Sequence, residues 1–384
     1  MVRDLPIFGR MPSHRPSSVV RRTLAWFAAT PQADGKPLKR LRKQLVLAWH
    51  AMLNRSICQQ WYEFLDSPEI RPFVAANRAL PLKPLKPYLS LGLNVAGRAR
   101  LIQDSLRLLA DHWAVFEPVI AGTRLVLSRI ELTNEETVSL CLEFNLQKEG
   151  ELTLLLRLAN GDIAAISAFA FDRQPDGRHF MRVARIQGVK NHELLRMLEK
   201  EMHGLRPKSL MVFATQEVAH ALGVSAIFGV SSANQVYNKK VLIALPGLHK
   251  LAFDYDSFWL ESNGTMDADG WFCLPTRLQK RETSEMKRNK RPMYKKRYAM
   301  FDDISAQIHR ALQAAPSLAS AESTRVSGDP MTAEPSCQPL RTRSARHQQE
   351  ARCEGTDKSI PAPQSGSSRN HLTGCGRQDR HRAW

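Results

Sequence analysis

The chain has 384 residues, of which 43% are hydrophobic and 24% are charged, and it carries a formal net charge of +18 at pH 7. No run approaches the roughly 20 apolar residues that span a bilayer, and the six cysteines show neither a CxxC pair nor a spacing suited to a zinc site or disulfide scaffold. The length suits more than one folded unit, and the charge indicates an acidic partner, either nucleic acid or an anionic membrane surface.

The first 36 residues mix Pro, Ser and Arg without a sustained period, which predicts a mobile basic arm. Residues 1–55 carry eleven Lys or Arg against two acids. The arm includes "RRTLAWFAATPQADG", where an Arg pair precedes an apolar patch over 24–29. That patch is shorter than the apolar core of a secretory signal, so we expect this segment not to be cleaved.

Residues 37–120 are predicted to form an N-terminal helical region. In "LKRLRKQLVLAWHAMLNRSICQQWYEFLDS" apolar residues recur at helical intervals with cations crowded at the start, which predicts one long amphipathic helix. Five prolines interrupt the following stretch, and "ARLIQDSLRLLADHWAVF" predicts a second long helix.

Residues 121–312 are predicted to form an α+β domain. Five short apolar runs, from "TRLVLSRIEL" to "RHFMRVARIQG", are separated by turn formers and predict a mainly antiparallel sheet. Asn160 and Gly161 tolerate the positive φ of a tight hairpin turn between two of these strands.

Two helices and a strand follow this sheet in the sequence. The first helix opens after Asn191 and closes before Gly204, and the second has Pro207 in its first turn and Gly223 past its end. "SAIFGVSS" then predicts a strand whose last residues, 231–234, lie at a sheet edge and form the expected cleft. Among the acids that come next, Asp254 and Asp256 are expected to neutralise the basic helix through Lys287, Arg291 or Arg297. The alternative is that they bind a cation or a basic partner.

A basic segment closes the predicted domain. Residues 277–300 carry ten Lys or Arg against two acids, and Tyr294 and Tyr298 lie four apart, on one helical face. Such a helix would bind lipid headgroups or nucleic acid, or would be a solvated face. The residues expected to bind an anionic surface are Lys287, Arg288, Arg291, Tyr294, Lys295, Lys296, Arg297 and Tyr298. Aliphatic residues are scarce over 313–384, so that tail is predicted to be disordered.

Several passages in the same order give the chain a resemblance to a known family: "LSLGLNVAGRARLIQDSL", "RIQGVKNHELL", "HGLRPKSL", "LGVSAIFGVSSANQVY", "YDSFW", "GWFCLP" and "KRPMYKKRYAMFDDI". Together they resemble the VirK/YbjX family of Gram-negative bacteria, a domain of unknown function, over roughly residues 40–312. The resemblance implies a role in virulence and envelope stress, through surface-protein display and resistance to cationic antimicrobial peptides. It implies no reaction, and the long tail departs from the family pattern.

The order of strand, helix and strand around "RVARIQG" and "LGVSAIFGVSSANQVY" also resembles the core of Gcn5-related acyltransferases, although their glycine-rich loop is absent. A helix N-terminus with open amides favours an anion, so an acyl-CoA cofactor would bind there. The candidate cofactor-binding residues are Gln187, Gly188, Lys190, Arg206, Lys208, Asn234 and Tyr237. The alternative is that Gly188 only forms a turn and that Asn234 only satisfies loop amides.

The sequence therefore predicts an α+β fold with N-terminal helices, a central mainly antiparallel sheet of acyltransferase-like topology and a C-terminal basic helix. The expected protein is a cytoplasmic virulence or envelope-stress factor of the VirK/YbjX type, peripheral to the inner membrane through its basic flanks. An acyl-CoA-dependent acyltransferase and a nucleic-acid-binding module are the alternatives. The sequence identifies no catalytic residue, no metal site and no oligomeric state.

Overall fold

A computed structural model describes residues 19–30, 37–145, 148–237, 254–282 and 286–313. The predicted mobile arm over 1–36 lies outside the described residues except for 19–30. The predicted disordered tail over 313–384 lies outside them except for Gln313.

The described chain begins with a helix that the sequence analysis did not predict. Helix α1, Val19–Ala29, buries Phe27 and Thr23, and the Thr23 hydroxyl lies 2.6 Å from the hydroxyl of Tyr62. Arg22 forms an ion pair of 2.5 Å with Asp66. This part of the predicted arm is therefore packed, because partners from more than 35 residues away supply the contacts that a short window of sequence does not contain.

The predicted long amphipathic helix is two helices, α2 (Pro37–Leu53) and α3 (Arg55–Leu65). Between them, the side-chain amide of Asn54 donates to the backbone carbonyl of His50 at 2.8 Å. The Asn54 side chain thus bonds to a backbone carbonyl that would otherwise accept only from the helix backbone, which accounts for the break between α2 and α3. Helix α4 (Arg71–Ala76), a 3-10 turn (Leu80–Leu85), α5 (Val95–Asp111) and α6 (Trp113–Ile120) complete the N-terminal helices.

A mainly antiparallel sheet of eight strands occupies the centre of the fold, as predicted. Among the residues that the structure describes, the strand order is β1-β2-β3-β4-β5-β6-β8-β7, and only the β5–β6 pair is parallel. The predicted hairpin turn is confirmed, since Gly161 has φ +88° and Leu158 donates to the Asp162 carbonyl at 2.8 Å. The strands are β1 (Leu125–Glu131), β2 (Thr137–Phe144), β3 (Leu152–Arg157), β4 (Ile163–Arg173), β5 (His179–Gly188), β6 (Ala226–Val230), β7 (Thr265–Met266) and β8 (Trp271–Leu274).

The prediction that residues 231–234 lie at a sheet edge is wrong. Strand β6 pairs with β5 on one side and with β8 on the other, so these residues follow an interior strand rather than lie at a sheet edge. Strand β8 was not predicted, because its four residues are too few to show a strand period.

The helices after β5 form as predicted. Helix α7, His192–Glu201, is capped by Asn191, which accepts from the backbone N–H of Glu193 and Leu194 at 3.1 Å. Helix α8, Pro207–Ala221, packs on the sheet and on the C-terminal helix α10, Arg291–Gln313, where the rings of Phe213 and Phe301 lie 4.2 Å apart. One hydrophobic core runs from Phe27 to Leu312 among the described residues, so the two predicted domains share a core.

A close approach at β6 fixes helix α9, Tyr255–Glu261, against the sheet. A Cβ added at Gly229 would lie 2.4 Å from Cε2 of Trp259, and the indole N–H donates to the Val230 carbonyl at 2.8 Å. Trp259 is fully buried. Only glycine therefore leaves room for this ring.

We expect Gly229→Ala to lower the free energy of unfolding by about 1–3 kcal/mol, because the added methyl overpacks the Trp259 contact. Urea unfolding followed by Trp fluorescence measures it. Gly97→Ala is the control, since a Cβ there meets nothing closer than 3.4 Å and helix α5 favours alanine. Equal stability of Gly229→Ala and the wild type would contradict the packing argument.

Candidate functional site

Strand β5 continues beyond the end of its parallel partner β6, and the place where this partner ends is the strand fork. Their parallel pairing ends at Val183↔Gly229, whereas β5 continues to Gly188. Beyond that point side chains replace the missing strand. The Gln235 amide donates to the Ala184 carbonyl at 3.4 Å, and the hydroxyl of Tyr255 accepts from the Ile186 N–H. The fork is therefore closed by the protein's own polar side chains.

A buried ionic cluster lies beside the strand fork. The Glu149 carboxylate accepts from Arg185 Nη1 at 3.1 Å and from the Gln235 amide at 3.4 Å. Burial raises the pKa of Glu149, and Arg185 opposes this rise. Burial and the nearby Glu149 charge raise the pKa of Tyr255. Because Glu149 and Tyr255 are 3% and 4% exposed, neither group is open to a substrate, and the cluster is structural in this conformation.

A second buried ion pair involves Glu151, which lies two residues after Glu149 in the chain. Lys83 Nζ lies 3.2 Å from Glu151 Oε1 and donates to the carbonyls of Asn145 and Gly150 at 3.4 and 3.3 Å. The Tyr88 hydroxyl donates to the other carboxylate oxygen of Glu151. The pair thereby joins the 3-10 turn of the helical region to the segment between β2 and β3.

A small cavity at the end of β5 brings together three of the predicted cofactor-binding residues. Gln187, Gly188 and Lys190 line it, with Arg185 and apolar residues of β4, and its volume is about 180 Å³. The side chain of a fourth, Lys208, lies beside Gly188. This volume is below the roughly 300–1,000 Å³ typical of ligand pockets.

The other three predicted cofactor-binding residues make contacts elsewhere. Arg206 is exposed at the N-cap of α8, 3.9 Å from Glu199, and Asn234 donates to the carbonyls of Asp269 and Gly270, at 3.4 Å in each case. Tyr237 is half-exposed, with its ring centroid 5.4 Å from Lys148 Nζ. The predicted set thus divides into a group at the cavity and separate surface contacts.

The predicted anionic-surface residues lie on α10 and the turn before it. Tyr294 and Tyr298 share a face as predicted, with ring centroids 5.9 Å apart. Arg297 is buried instead, because its guanidinium donates to the His203 carbonyl at 2.7 Å and lies over the Tyr294 ring. The exposed cations of the set are Lys287, Arg288, Arg291, Lys295 and Lys296.

The expectation that Asp254 and Asp256 neutralise the basic segment is wrong. Asp254 caps α9 and accepts from the Ser257 N–H at 3.1 Å, and Asp256 accepts from the Ser232 N–H at 2.7 Å. Asp254 is satisfied at the start of its own helix, whereas Asp256 accepts from a residue that follows β6 and so holds α9 against the end of that strand.

Helix α2 presents an apolar stripe to solvent, which the sequence analysis did not assign to either face. The stripe consists of Leu38, Leu41, Leu45, Trp49 and Met52, spaced three or four apart and 50–78% exposed. The opposite side of the helix buries Leu47 and Ala51. The helix contains no acidic residue, and its first two turns carry four exposed cations: Lys39, Arg40, Arg42 and Lys43.

None of the helices in the described part of the chain is long and apolar enough to cross a membrane.

Comparison with known proteins places this chain among proteins whose activity is unassigned. The sequence profile of a family described as "Protein of unknown function (DUF535)" matches residues 36–310. The uncharacterized protein YbjX of Escherichia coli (strain K12) is 28% identical over 265 residues, which cover 65% of this chain and 77% of YbjX. An uncharacterized protein of Haemophilus influenzae is 24% identical over 287 residues, covering 73% of this chain and 94% of that protein. No solved structure matches the chain.

Removing one partner of the buried Lys83–Glu151 pair should be strongly destabilising. We expect Glu151→Gln to lower the free energy of unfolding by about 3–5 kcal/mol, because it leaves the Lys83 ammonium buried without its counter-charge. The double variant Lys83→Met, Glu151→Leu should recover most of the loss. Chemical unfolding measures both, and a double variant no more stable than Glu151→Gln would contradict the pairing.

The raised pKa of Glu149 predicts a pH dependence of stability. A carboxyl that binds its proton more tightly in the folded state stabilises the fold at low pH. That stability is lost as the pH rises from the ordinary Glu value through the folded pKa. The unfolding free energy of the wild type minus that of Glu149→Gln should therefore fall with rising pH across this interval. A difference that rises or stays constant would contradict the sign of the shift.

Proposed function

Because the chain belongs to the DUF535 family of proteins of unknown function, we propose that it is a peripheral protein of an anionic membrane surface, and that helix α2 is its attachment site. The observation that carries this proposal is the exposed apolar stripe of α2 with cations beside it. A large exposed apolar face on a folded protein marks a surface for a partner or a membrane.

The composition of α2 favours a lipid partner over a protein partner. Interfacial helices combine a basic polar face with Leu and Trp on the other face, and lie in the headgroup region with their apolar side in the acyl chains. Helix α2 has 17 residues, so it is about 26 Å long and offers the stripe over almost all of this length. Each Lys or Arg near an anionic surface adds about 1 kcal/mol.

The exposed cations around the start of α10 supply a second attraction. Stable attachment of a peripheral protein takes two signals, because one amphipathic element alone binds reversibly. Lys287, Arg288 and Arg291 precede or open α10, and Lys295 and Lys296 follow within it. These five residues contribute charge but little apolar area, so they would strengthen attachment without replacing α2.

The resemblance to the VirK/YbjX family suggests the biological setting. On this proposal the protein binds the cytoplasmic leaflet of the inner membrane and acts in envelope stress and virulence, supporting surface-protein display and resistance to cationic antimicrobial peptides. Cationic peptides are attracted to the same anionic headgroups as α2. A protein that resides on those headgroups is therefore placed where such peptides act.

Sedimentation with vesicles tests the attachment. We expect the wild type to sediment with phosphatidylglycerol vesicles and not with phosphatidylcholine vesicles at moderate salt. Trp49→Glu with Leu45→Glu should reduce the bound fraction at least tenfold, because each carboxylate would enter the apolar layer. Glu substitution of Lys287, Lys295 and Lys296 should weaken binding less and should lower its salt dependence.

Leu260→Glu is the matched control, since Leu260 lies on α9 and is 61% exposed, close to the 58% of Trp49. It adds one carboxylate away from the stripe, as Trp49→Glu alone does within it, and should bind vesicles as the wild type does. The proposal fails if Leu260→Glu and the α2 variant bind alike. Binding to DNA with a steep salt dependence, and none to vesicles, would support the nucleic-acid alternative instead.

An acyl-CoA-dependent transferase is the second candidate, and the strand fork favours it. The resemblance to Gcn5-related acyltransferases implies a central strand that offers backbone N–H groups to the cofactor's pyrophosphate, and here β5 continues without its parallel partner after Val183↔Gly229. Gln235 and Tyr255 would have to leave the fork to admit it. Acetyl-CoA should then raise the melting temperature of the wild type but not of a Gly188→Trp variant, and no shift with any acyl-CoA would reject this candidate.

A further inference from the structure

Three potential metal ligands converge between α8 and α10, away from the attachment surfaces. Glu217 and His220 are one helical turn apart on α8, and His309 faces them from α10. His220 Nδ1 lies 3.1 Å from His309 Nε2, and His309 Nε2 lies 3.3 Å from Glu217 Oε2. All three ligand atoms are within 4.8 Å of one another.

With Glu217 ionised, no placement of the two imidazole protons satisfies these contacts. Arg277 donates to His220 Nε2, so the proton of a neutral His220 is on Nδ1 and points at His309 Nε2. That nitrogen then accepts, and its lone pair also faces the Glu217 carboxylate. If His309 Nε2 carries the proton instead, His220 Nδ1 must accept it, and the proton on His220 Nε2 then faces the Arg277 donor. The first arrangement places two acceptors, His309 Nε2 and the Glu217 carboxylate, against each other. The second places two donors, His220 Nε2 and the Arg277 guanidinium, against each other.

We propose that Glu217, His220 and His309 bind a divalent transition-metal ion of the Zn²⁺ class. Zinc binds imidazole nitrogen at about 2.0–2.1 Å and carboxylate oxygen at about 2.0–2.2 Å, so tetrahedral ligand atoms lie roughly 3.4 Å apart. The two shorter separations are close to this value. A cation at the centre accepts all three lone pairs, which the proton arrangements do not.

The surroundings support three protein ligands with an open position. Glu217 is 9% exposed and accepts from the Ser305 hydroxyl at 2.5 Å, a contact of the kind that orients metal-binding carboxylates. Arg277 is exposed and would swing away when the ion binds, since His220 Nε2 then carries a proton.

The site would clamp α10 to α8. Its ligands come from residues 89 apart in the chain, and the Phe213–Phe301 ring contact lies along the same pair of helices. An ion bound across them would stabilise the position of α10 and of the basic segment that opens it. The metal site does not depend on the proposed membrane attachment, because its residues are separate from the α2 stripe.

Calorimetric titration of the full, untagged, chelator-stripped chain with Zn²⁺ tests the site. We expect His220→Ala and His309→Ala each to weaken binding at this site at least tenfold, and Zn²⁺ to raise the melting temperature of the wild type more than that of either variant. Arg277→Ala should bind several-fold more tightly, because it removes the competing donor. A variant that only damaged the fold would not bind more tightly.

His192→Ala is the control, because His192 is exposed at the start of α7 and should leave binding unchanged. Co²⁺ gives an independent measurement, since its visible absorption reports imidazole and carboxylate ligation. The proposal is overturned if the wild type, His220→Ala and His309→Ala bind Zn²⁺ with equal affinity and stoichiometry. Vesicle binding by His309→Ala should match the wild type, so failure here is distinct from failure of the membrane proposal.

Discussion

The backbone of β5 beyond Val183 is the constraint on which the centre of this structure depends. An interior strand that loses its partner leaves N–H and C=O groups buried, and each must find another partner. Gln235 and Tyr255 supply those partners, and Trp259 packs across Gly229 on the neighbouring strand. The strand fork is thus stabilised by residues that follow β6, which couples the end of the sheet to α9.

Charge is distributed differently inside the molecule and on its surface. Inside, Lys83 pairs with Glu151 and joins the helical region to the segment between β2 and β3, and Arg185 of β5 pairs with Glu149 of the same segment. On the surface, α2 and the start of α10 present cations in segments with few acids. The pairing of the buried charges follows from the high cost of leaving a buried charge without its partner.

The proposed membrane attachment and the proposed metal site use different residues, but both involve helix α10. The apolar stripe of α2 is the proposed lipid contact, whereas the proposed metal ligands Glu217, His220 and His309 lie between α8 and α10. Since α10 also opens with the exposed cations, an ion that holds α10 in place would fix the position of the second membrane contact. Membership of a family without assigned activity is consistent with a role in attachment as well as with catalysis.

The sequence by itself determined the local features. Periodicity and end signals predicted the antiparallel sheet, the Asn160–Gly161 turn, helices α7 and α8, and the shared face of Tyr294 and Tyr298, because each depends on neighbours a few residues away. Tertiary structure alone decided that Arg297 is buried, that α1 is packed, that β6 is interior, that the α2 stripe is exposed and that His309 meets His220. Those outcomes depend on partners tens of residues distant, and a linear pattern holds no information about which distant surface covers a given face.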